Sequence, residues 1–114
     1  MSRRDRLESL LKREISTILQ TKIQDDRIGF ISIISVSLNS DLKIAKVFYS
    51  LFGKLDERQK THKVLEGVSG LIKRELGKVL HLKFIPNIRF VYDRTFEDAE
   101  KVTQTLQSID DDTE

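Results

Sequence analysis

LEGVSGLIKREL, residues 65–76, contains Gly67-Val68-Ser69-Gly70, a literal G-x-x-G with the spacing of a loop that clamps a nucleic-acid backbone. The same residues lie inside a longer amphipathic pattern. Laid on a helical wheel at about 100° per residue, Val64, Leu65, Val68, Leu71, Ile72, Leu76, Val79 and Leu80 share one broad face. That stripe keeps its phase straight through GVSG, whereas a looped-out segment would usually reset it. Gly53 to His62 reads as a polar connection running into this helix, and the pattern over the projected residues 56–82 predicts a backbone bent at its glycines and serine rather than interrupted by a loop. Glycines at positions 67 and 70 together cost about 1–2 kcal/mol relative to alanine in a helix interior. Such a cost calls for either a bend or a bare surface.

The opposite side of the wheel holds Gly67, Gly70 and Gly77, with Lys63 and Arg74 among them and Lys60 and Lys78 toward the edge. Glycines flanked by cations let a phosphodiester backbone come close while Lys and Arg neutralise it. The alternative is a solvated stripe whose glycines only relieve packing against a neighbouring helix. Glu75 falls on the inward side of the ideal wheel and fits neither reading.

Working outward, Ser2 and Asp5 form a capping-box start for a first helix of about residues 3–23, with Leu7, Leu10, Leu11, Ile15, Ile18, Leu19 and Ile23 as its stripe. Arg3, Arg4, Arg6, Lys12 and Arg13 lie off that stripe or at its edge. Asp25-Asp26-Arg27 and Gly29 end the pattern. FISIISVSL (30–38) reads as a strand, with Ile34, Val36 and Leu38 alternating against Ser35 and Ser37. Asn39-Ser40-Asp41 is a turn, and LKIAKVFYSLF (42–52) is a second strand in an antiparallel hairpin. Its two faces are not separable, because both alternating sets are apolar. Pro86 is tolerated only at a strand start or edge, so Ile88, Phe90 and Tyr92 mark a third strand over 87–92. Thr95 caps a last helix carrying Phe96, Ala99, Val102, Leu106 and Ile109, which frays at Asp110-Asp111-Asp112.

The 114 residues fit one domain, 39% hydrophobic and 33% charged, without cysteine. Disulfides and thiolate metal sites are excluded, and a reducing compartment is expected. The charged start MSRRDRLES argues against a signal peptide, and no apolar run approaches a membrane span, so a cytoplasmic protein is expected. The net charge of +2 divides unevenly: residues 1–95 hold 19 Lys/Arg and 11 Asp/Glu (+8), whereas residues 96–114 hold one Lys and seven acids (−6). A basic body suits a polyanionic partner, although the cations could equally be solubilising. The expected organisation is a domain over 1–95 and an acidic helix or tail over 96–114.

Catalytic chemistry is not nominated. His62 and His81 are far apart, and Asp25-Asp26 and the terminal acids lack the spacing of a calcium loop, so no metal and no cofactor is expected. Walker, G-x-S-x-G and H-E-x-x-H motifs are missing. Asp41 and Asp93 read as turn caps. A hydrolase using either with a borrowed metal is the enzymatic alternative. Among the strand aromatics, Tyr49 and Tyr92 could stack on bases if exposed, but strand aromatics more often belong to the core.

The elements together give an α-β-β-α-kink-α-β order with a basic helical face, which resembles a type II KH-like domain. RRDRLESLLKREIS, DLKIAKVFYSLFG (with Asp41, Ala45 and Val47), SGLIKREL and PNIRFVYD narrow the resemblance to the ribosome-binding factor A family, over about residues 2–94. Two departures are Asp25-Asp26-Arg27, where the family often has a proline, and Asn87, where it usually has glutamate. The resemblance implies an α+β fold with a three-stranded sheet packed against helices, in which a kink at a small residue (here Ser69-Gly70) replaces the KH G-x-x-G loop. It further implies a small, monomeric, non-enzymatic, cytoplasmic maturation factor. Such a factor binds the free small (30S) ribosomal subunit and assists late processing of the 16S rRNA 5′ region. The residues expected to meet RNA are Lys60, Lys63, Gly67, Ser69, Gly70, Lys73, Arg74 and Lys78, extended by Arg3, Arg4, Arg6 and Arg13. The alternative is a generic basic RNA-binding or protein-adaptor domain without ribosome specificity.

Overall fold

The computed structural model describes residues 2–23, 28, 31–51 and 55–94. Helix α1 spans Arg3–Thr21 and begins with the expected reciprocal cap: the Asp5 amide donates to Ser2 Oγ and the Ser2 amide to Asp5 Oδ2, each at 3.1 Å. Leu11, Ile15, Ile18 and Leu19 are buried at the i, i+4, i+7 spacing of one helix face. The helix ends at Thr21, two residues short of the apolar pattern, yet Ile23 is still buried just beyond it.

Strands β1 (Ile31–Leu38) and β2 (Ile44–Leu51) form an antiparallel hairpin. In its turn, Asn39 Oδ1 accepts from the amides of Lys43 and Ile44, both at 2.9 Å, and Asp41 Oδ1 accepts from Lys43 at 3.2 Å. Asp41 is thus a turn cap, as read from the sequence. Leu42 sits in the left-handed region at φ 62°, a conformation that side chains with a Cβ rarely adopt.

Helix α2 runs unbroken from Leu55 to Val79. The two halves expected on either side of GVSG are one continuous helix, as the uninterrupted stripe implied. Ser69 Oγ donates to the Leu65 carbonyl at 3.0 Å, a back-bond to the preceding turn that often accompanies helix bending. Val64, Leu65, Ile72 and Leu76 are buried, and Val68 and Leu71 half-buried. Val79 departs from the wheel. It is 53% exposed because the helix ends there, and Leu80 alone turns back into the core.

Strand β3 (Asn87–Tyr92) has the expected bounds and pairs parallel to β2, giving the order β1-β2-β3 with α2 as the crossover. Pro86 is buried just ahead of it, where no ladder hydrogen bond is required of it. Pairing resolves the faces that the sequence left open. Ala45, Val47, Tyr49 and Leu51 of β2 lie in register with Leu38, Val36, Ile33 and Ile31 of β1, and the first three also with Ile88, Phe90 and Tyr92 of β3. This is the core face, onto which both helices pack in a single hydrophobic cluster. A bulge between Ile33 and Ser35 shifts the alternation by one. Ile33 therefore packs against the core where the plain alternation had chosen Ile34. The other face carries Ser35, Ser37, Lys46, Phe48, Arg89 and Val91. The expected C-terminal helix, the domain boundary near residue 95 and the segment Asp25-Asp26-Arg27 lie outside the described residues.

Candidate nucleic-acid interface

The bare strip expected on α2 is present. Gly67 and Gly70 are exposed, and a Cβ built on either meets no heavy atom within 4 Å. Packing against a neighbouring helix does not explain them, because nothing among the described residues is packed there. Gly77 differs, since its Cβ would touch Ile85 Cγ1 at 3.8 Å, ordinary contact. Lys60, Lys63 and Arg74 project from the same helix; Lys60 is exposed, and Lys63 and Arg74 keep their charged ends clear of any ion pair among the described residues.

Three of the expected residues are tied to neighbours. Lys73 Nζ donates to Asn87 Oδ1 at 2.8 Å, reaching from α2 to the start of β3. Lys78 Nζ meets Glu75 Oε1 at 3.1 Å, and the Glu75 side chain is only 17% exposed. That contact accounts for the inward glutamate: its carboxylate is neutralised locally by the lysine one turn on. Lys78 therefore contributes less to an anion-attracting field than the wheel suggested. Ser69, half-buried and bonded to Leu65, presents no free donor at the surface. On α1, Arg3, Arg4, Arg6 and Arg13 are exposed, with Arg13 Nε 3.9 Å from Glu14 Oε1. Both helices lie on the core face of the sheet and touch each other, so the two basic strips belong to one helical layer.

The aromatic expectation divides. Tyr49 is fully buried and cannot stack on a base, whereas Tyr92 is half-buried at the end of β3. Tyr49 anchors a small polar cluster beneath the first half of α2. Its hydroxyl lies 2.8 Å from His62 Nδ1, and His62 Nε2 lies 2.8 Å from Glu66 Oε1. Because a carboxylate only accepts, Nε2 carries the hydrogen toward Glu66, and Nδ1 accepts from the phenol in the neutral ring. Burial pushes the Tyr49 hydroxyl up to about 12, and the neighbouring Tyr92 and Glu66 act in the same direction. Arg58 donates to the Tyr92 hydroxyl at 3.2 Å and lies over its ring, 5.2 Å from the centroid. Sequence reasoning missed this cluster, since its members are spread over three elements. The i, i+4 spacing of His62 and Glu66 was the sole local sign.

Phe84 was also missed. It is 75% exposed in the connection from α2 to β3, with the Lys83 ammonium 5.8 Å from its ring centroid. Residues 76–92 contain Lys78, Lys83 and Arg89 and no acid. Among the described residues no group of three or more His, Cys, Asp or Glu is placed to hold a metal ion. No helix among them is long and apolar enough to cross a membrane.

These features define a class: a two-layer α+β domain of type II KH-like order, with a bare, cation-flanked strip on its crossover helix. Comparison with known proteins narrows it. Residues 3–106 match the family model described as ribosome-binding factor A. A ribosome-binding factor A of Streptococcus pneumoniae is 40% identical over 109 residues, spanning 95% of this chain and 94% of that protein. The protein of the same name from Thermomicrobium roseum is 38% identical over 107 residues, spanning 94% and 83%. A solution structure of a putative ribosome binding factor A from Thermotoga maritima superposes with a TM-score of 0.72 at 30% identity, covering 79% of this chain and 86% of that one. The crystal structure of the Thermus thermophilus factor shares the fold, with a TM-score of 0.73 at 19% identity over 82% of this chain and all of that one. The chain belongs to the ribosome-binding factor A family.

Proposed function

We propose that this protein binds the free small ribosomal subunit as a monomer in the cytoplasm and assists late processing of the 16S rRNA 5′ region, without catalysing a reaction itself. The domain over residues 1–95 docks by shape and by phosphate contacts. Gly67 and Gly70 admit the backbone, Lys60, Lys63 and Arg74 neutralise it, and Arg3, Arg4, Arg6 and Arg13 extend the contact along the helical layer. Lys73 and Lys78 join them only by exchanging their present partners, Asn87 and Glu75, for phosphate. The observation that carries the reading is the open space over Gly67 and Gly70 on a helix that also bears these cations. Family membership gives it a partner. A Thermus thermophilus ribosome binding factor A model has been fitted into the map of a complex with the 30S subunit, and this chain shares its fold with a TM-score of 0.65 at 20% identity.

Cosedimentation with free small subunits, large subunits and assembled ribosomes at two salt concentrations tests this reading. Selective, salt-sensitive pelleting with free small subunits is expected. Equal binding to every particle would reduce the protein to a generic basic RNA binder, and competition by an acidic protein but not by RNA would make it an adaptor. Reversing charge at both Lys63 and Arg74 is expected to weaken small-subunit binding and flatten its dependence on salt, by about 1 in log–log slope for each phosphate no longer neutralised. Unchanged affinity in the folded double variant would remove the strip from the interface.

A further inference from the structure

Three large apolar side chains stand exposed among the described residues: Leu42 at 38%, Val79 at 53% and Phe84 at 75%. Though far apart in sequence, they lie at one end of the molecule. Leu42 is in the β1–β2 turn, Val79 is the last residue of α2, and Phe84 is in the connection from α2 to β3. The Asn87 amide, at the start of β3, donates to the Lys43 carbonyl at 2.8 Å, which fastens that turn to the connection. Neither burial nor backbone preference explains a leucine at position 42. Its side chain is exposed and its backbone holds φ 62°, where asparagine or glycine would sit without strain. Apolar side chains gathered in solvent at one place mark an interaction surface.

The charge around this end selects the occupant. Lys43, Lys83 and Arg89 are exposed and make no ion pair among the described residues. Lys46 and Arg89 stand in register on neighbouring strands, a like-charge pair that costs stability until an anion bridges it. Residues 76–92 contain no acid, Glu75 is held by Lys78, and Asp41 caps its own turn. Such a field suits a polyanion. Folded RNA shows phosphates and hydroxyls along its helices and keeps its base faces stacked inside. The flat, apolar face of a base pair is open only where a helix ends, with a phosphate chain on either side. One aromatic and two aliphatic groups bordered by cations complement that surface. Proteins that unstack nucleic acids likewise set apolar wedges among lysines and arginines. The Lys83 ammonium lies 5.8 Å from the Phe84 ring centroid, and the ring still stands mostly in solvent, open to a base.

We propose that this end of the protein stacks on the open terminal base pair of an RNA helix. Phe84 lies against the bases, Leu42 and Val79 extend the apolar surface, and Lys43 and Lys83 hold the flanking phosphates. The proposal rests on the RNA-binding reading above and adds a second contact to it. That contact is distinct from the glycine strip, with Val79 about 14 Å beyond Gly70 along α2 at 1.5 Å per residue. Through it the protein recognises where an RNA helix stops.

The chain has no tryptophan, so Phe84→Trp places a lone fluorophore at this surface of the full chain. The test titrates it with a short RNA duplex with open ends and with a dumbbell of the same paired sequence, its ends closed by stable tetraloops. Affinities of the wild type and variants are read from the anisotropy of labelled RNA. The open duplex is expected to quench the tryptophan, and the dumbbell to bind about tenfold more weakly, the size of one lost stack. Phe84→Ser should lose the preference for open ends. Leu42→Asn should weaken binding of the open duplex while raising the melting midpoint, because the strained backbone is relieved. Equal binding of the two RNAs, or an open-end preference that survives Phe84→Ser and Leu42→Asn, overturns the proposal. Either result leaves the RNA-binding reading standing, because the basic strip then holds the RNA by itself. An acidic peptide that matches the open duplex in affinity, and shifts the tryptophan emission to the blue without quenching it, also overturns the proposal. Binding of neither RNA overturns both readings.

Discussion

Two residues behave unlike their sequence neighbours, and each makes a prediction. Tyr49 is a phenol buried among apolar side chains with His62 as its partner, and its ionised form would lose that solvation. The chain has two tyrosines, so Tyr92→Phe leaves Tyr49 as the only phenol. Its absorbance titration in that variant should stay above the ordinary value through burial, though by less than in the wild type because Tyr92 also raises it; a midpoint at the ordinary value of about 10 would contradict the burial argument. Because the folded-state value is the higher one, this group leaves stability unchanged below pH about 10, and stability falls as pH rises from there through the folded value. Thermal melts of the wild type against Tyr49→Phe across that window should differ in slope, with the variant flatter. Phe84, by contrast, is an apolar ring held in solvent. Phe84→Ser should leave the melting midpoint unchanged and weaken small-subunit binding by about fivefold to tenfold, the size of one base stacked on an aromatic ring. Unaltered binding would make the exposed ring a feature with no part in the interface. No periodic signal marks Phe84, which lies between elements, and Tyr49 was legible only as one strand aromatic among several.

Among the elements, α2 supplies most of the candidate interface. Its glycines occupy helix-interior positions with open space above them, so Gly67→Ala and Gly70→Ala should each stabilise the domain, together by about 1–2 kcal/mol. The same substitutions should weaken RNA binding, and Gly70→Gln should weaken it further by standing in the path of the backbone. Denaturant melts and binding assays on the same variants separate the outcomes. Stabilisation with full binding would mean that the bare surface has no part in recognition. The helix was legible from Val64 onward because its apolar stripe keeps phase through GVSG, whereas its polar first turns carry no such stripe. The fate of its lysines was not, because Lys73 is drawn to Asn87 across 14 positions and Lys78 to a half-buried carboxylate. In β1, alternation misplaced Ile34 because a bulge adds a residue without leaving any mark in the composition.

For the whole molecule, the division of charge between +8 over residues 1–95 and −6 over 96–114 makes an electrostatic prediction that needs only the sequence. If the acidic segment competes with RNA for the basic layer, truncation after Thr95 should raise RNA affinity and steepen its decline with salt. Identical salt curves for the full and truncated chains would leave the segment a solubilising role. The order of the elements followed from periodicity, and their arrangement as a sheet packed against helices from the family resemblance. Helical and alternating stripes demand burial against one another, and a chain of this length can build one core. The α1 cap, the bounds of β3 and the continuity of α2 through GVSG are local matters of spacing and hydrogen-bonding chemistry, so the sequence by itself determined them. Three features were decided only by the tertiary structure: which face of β2 turns inward, that Tyr49, His62 and Glu66 join beneath α2, and that Leu42, Val79 and Phe84 gather at one end. Each depends on the parallel pairing of β2 with β3 across the α2 crossover, which brings together groups up to 44 residues apart in the chain. No local pattern of hydrophobicity encodes that register.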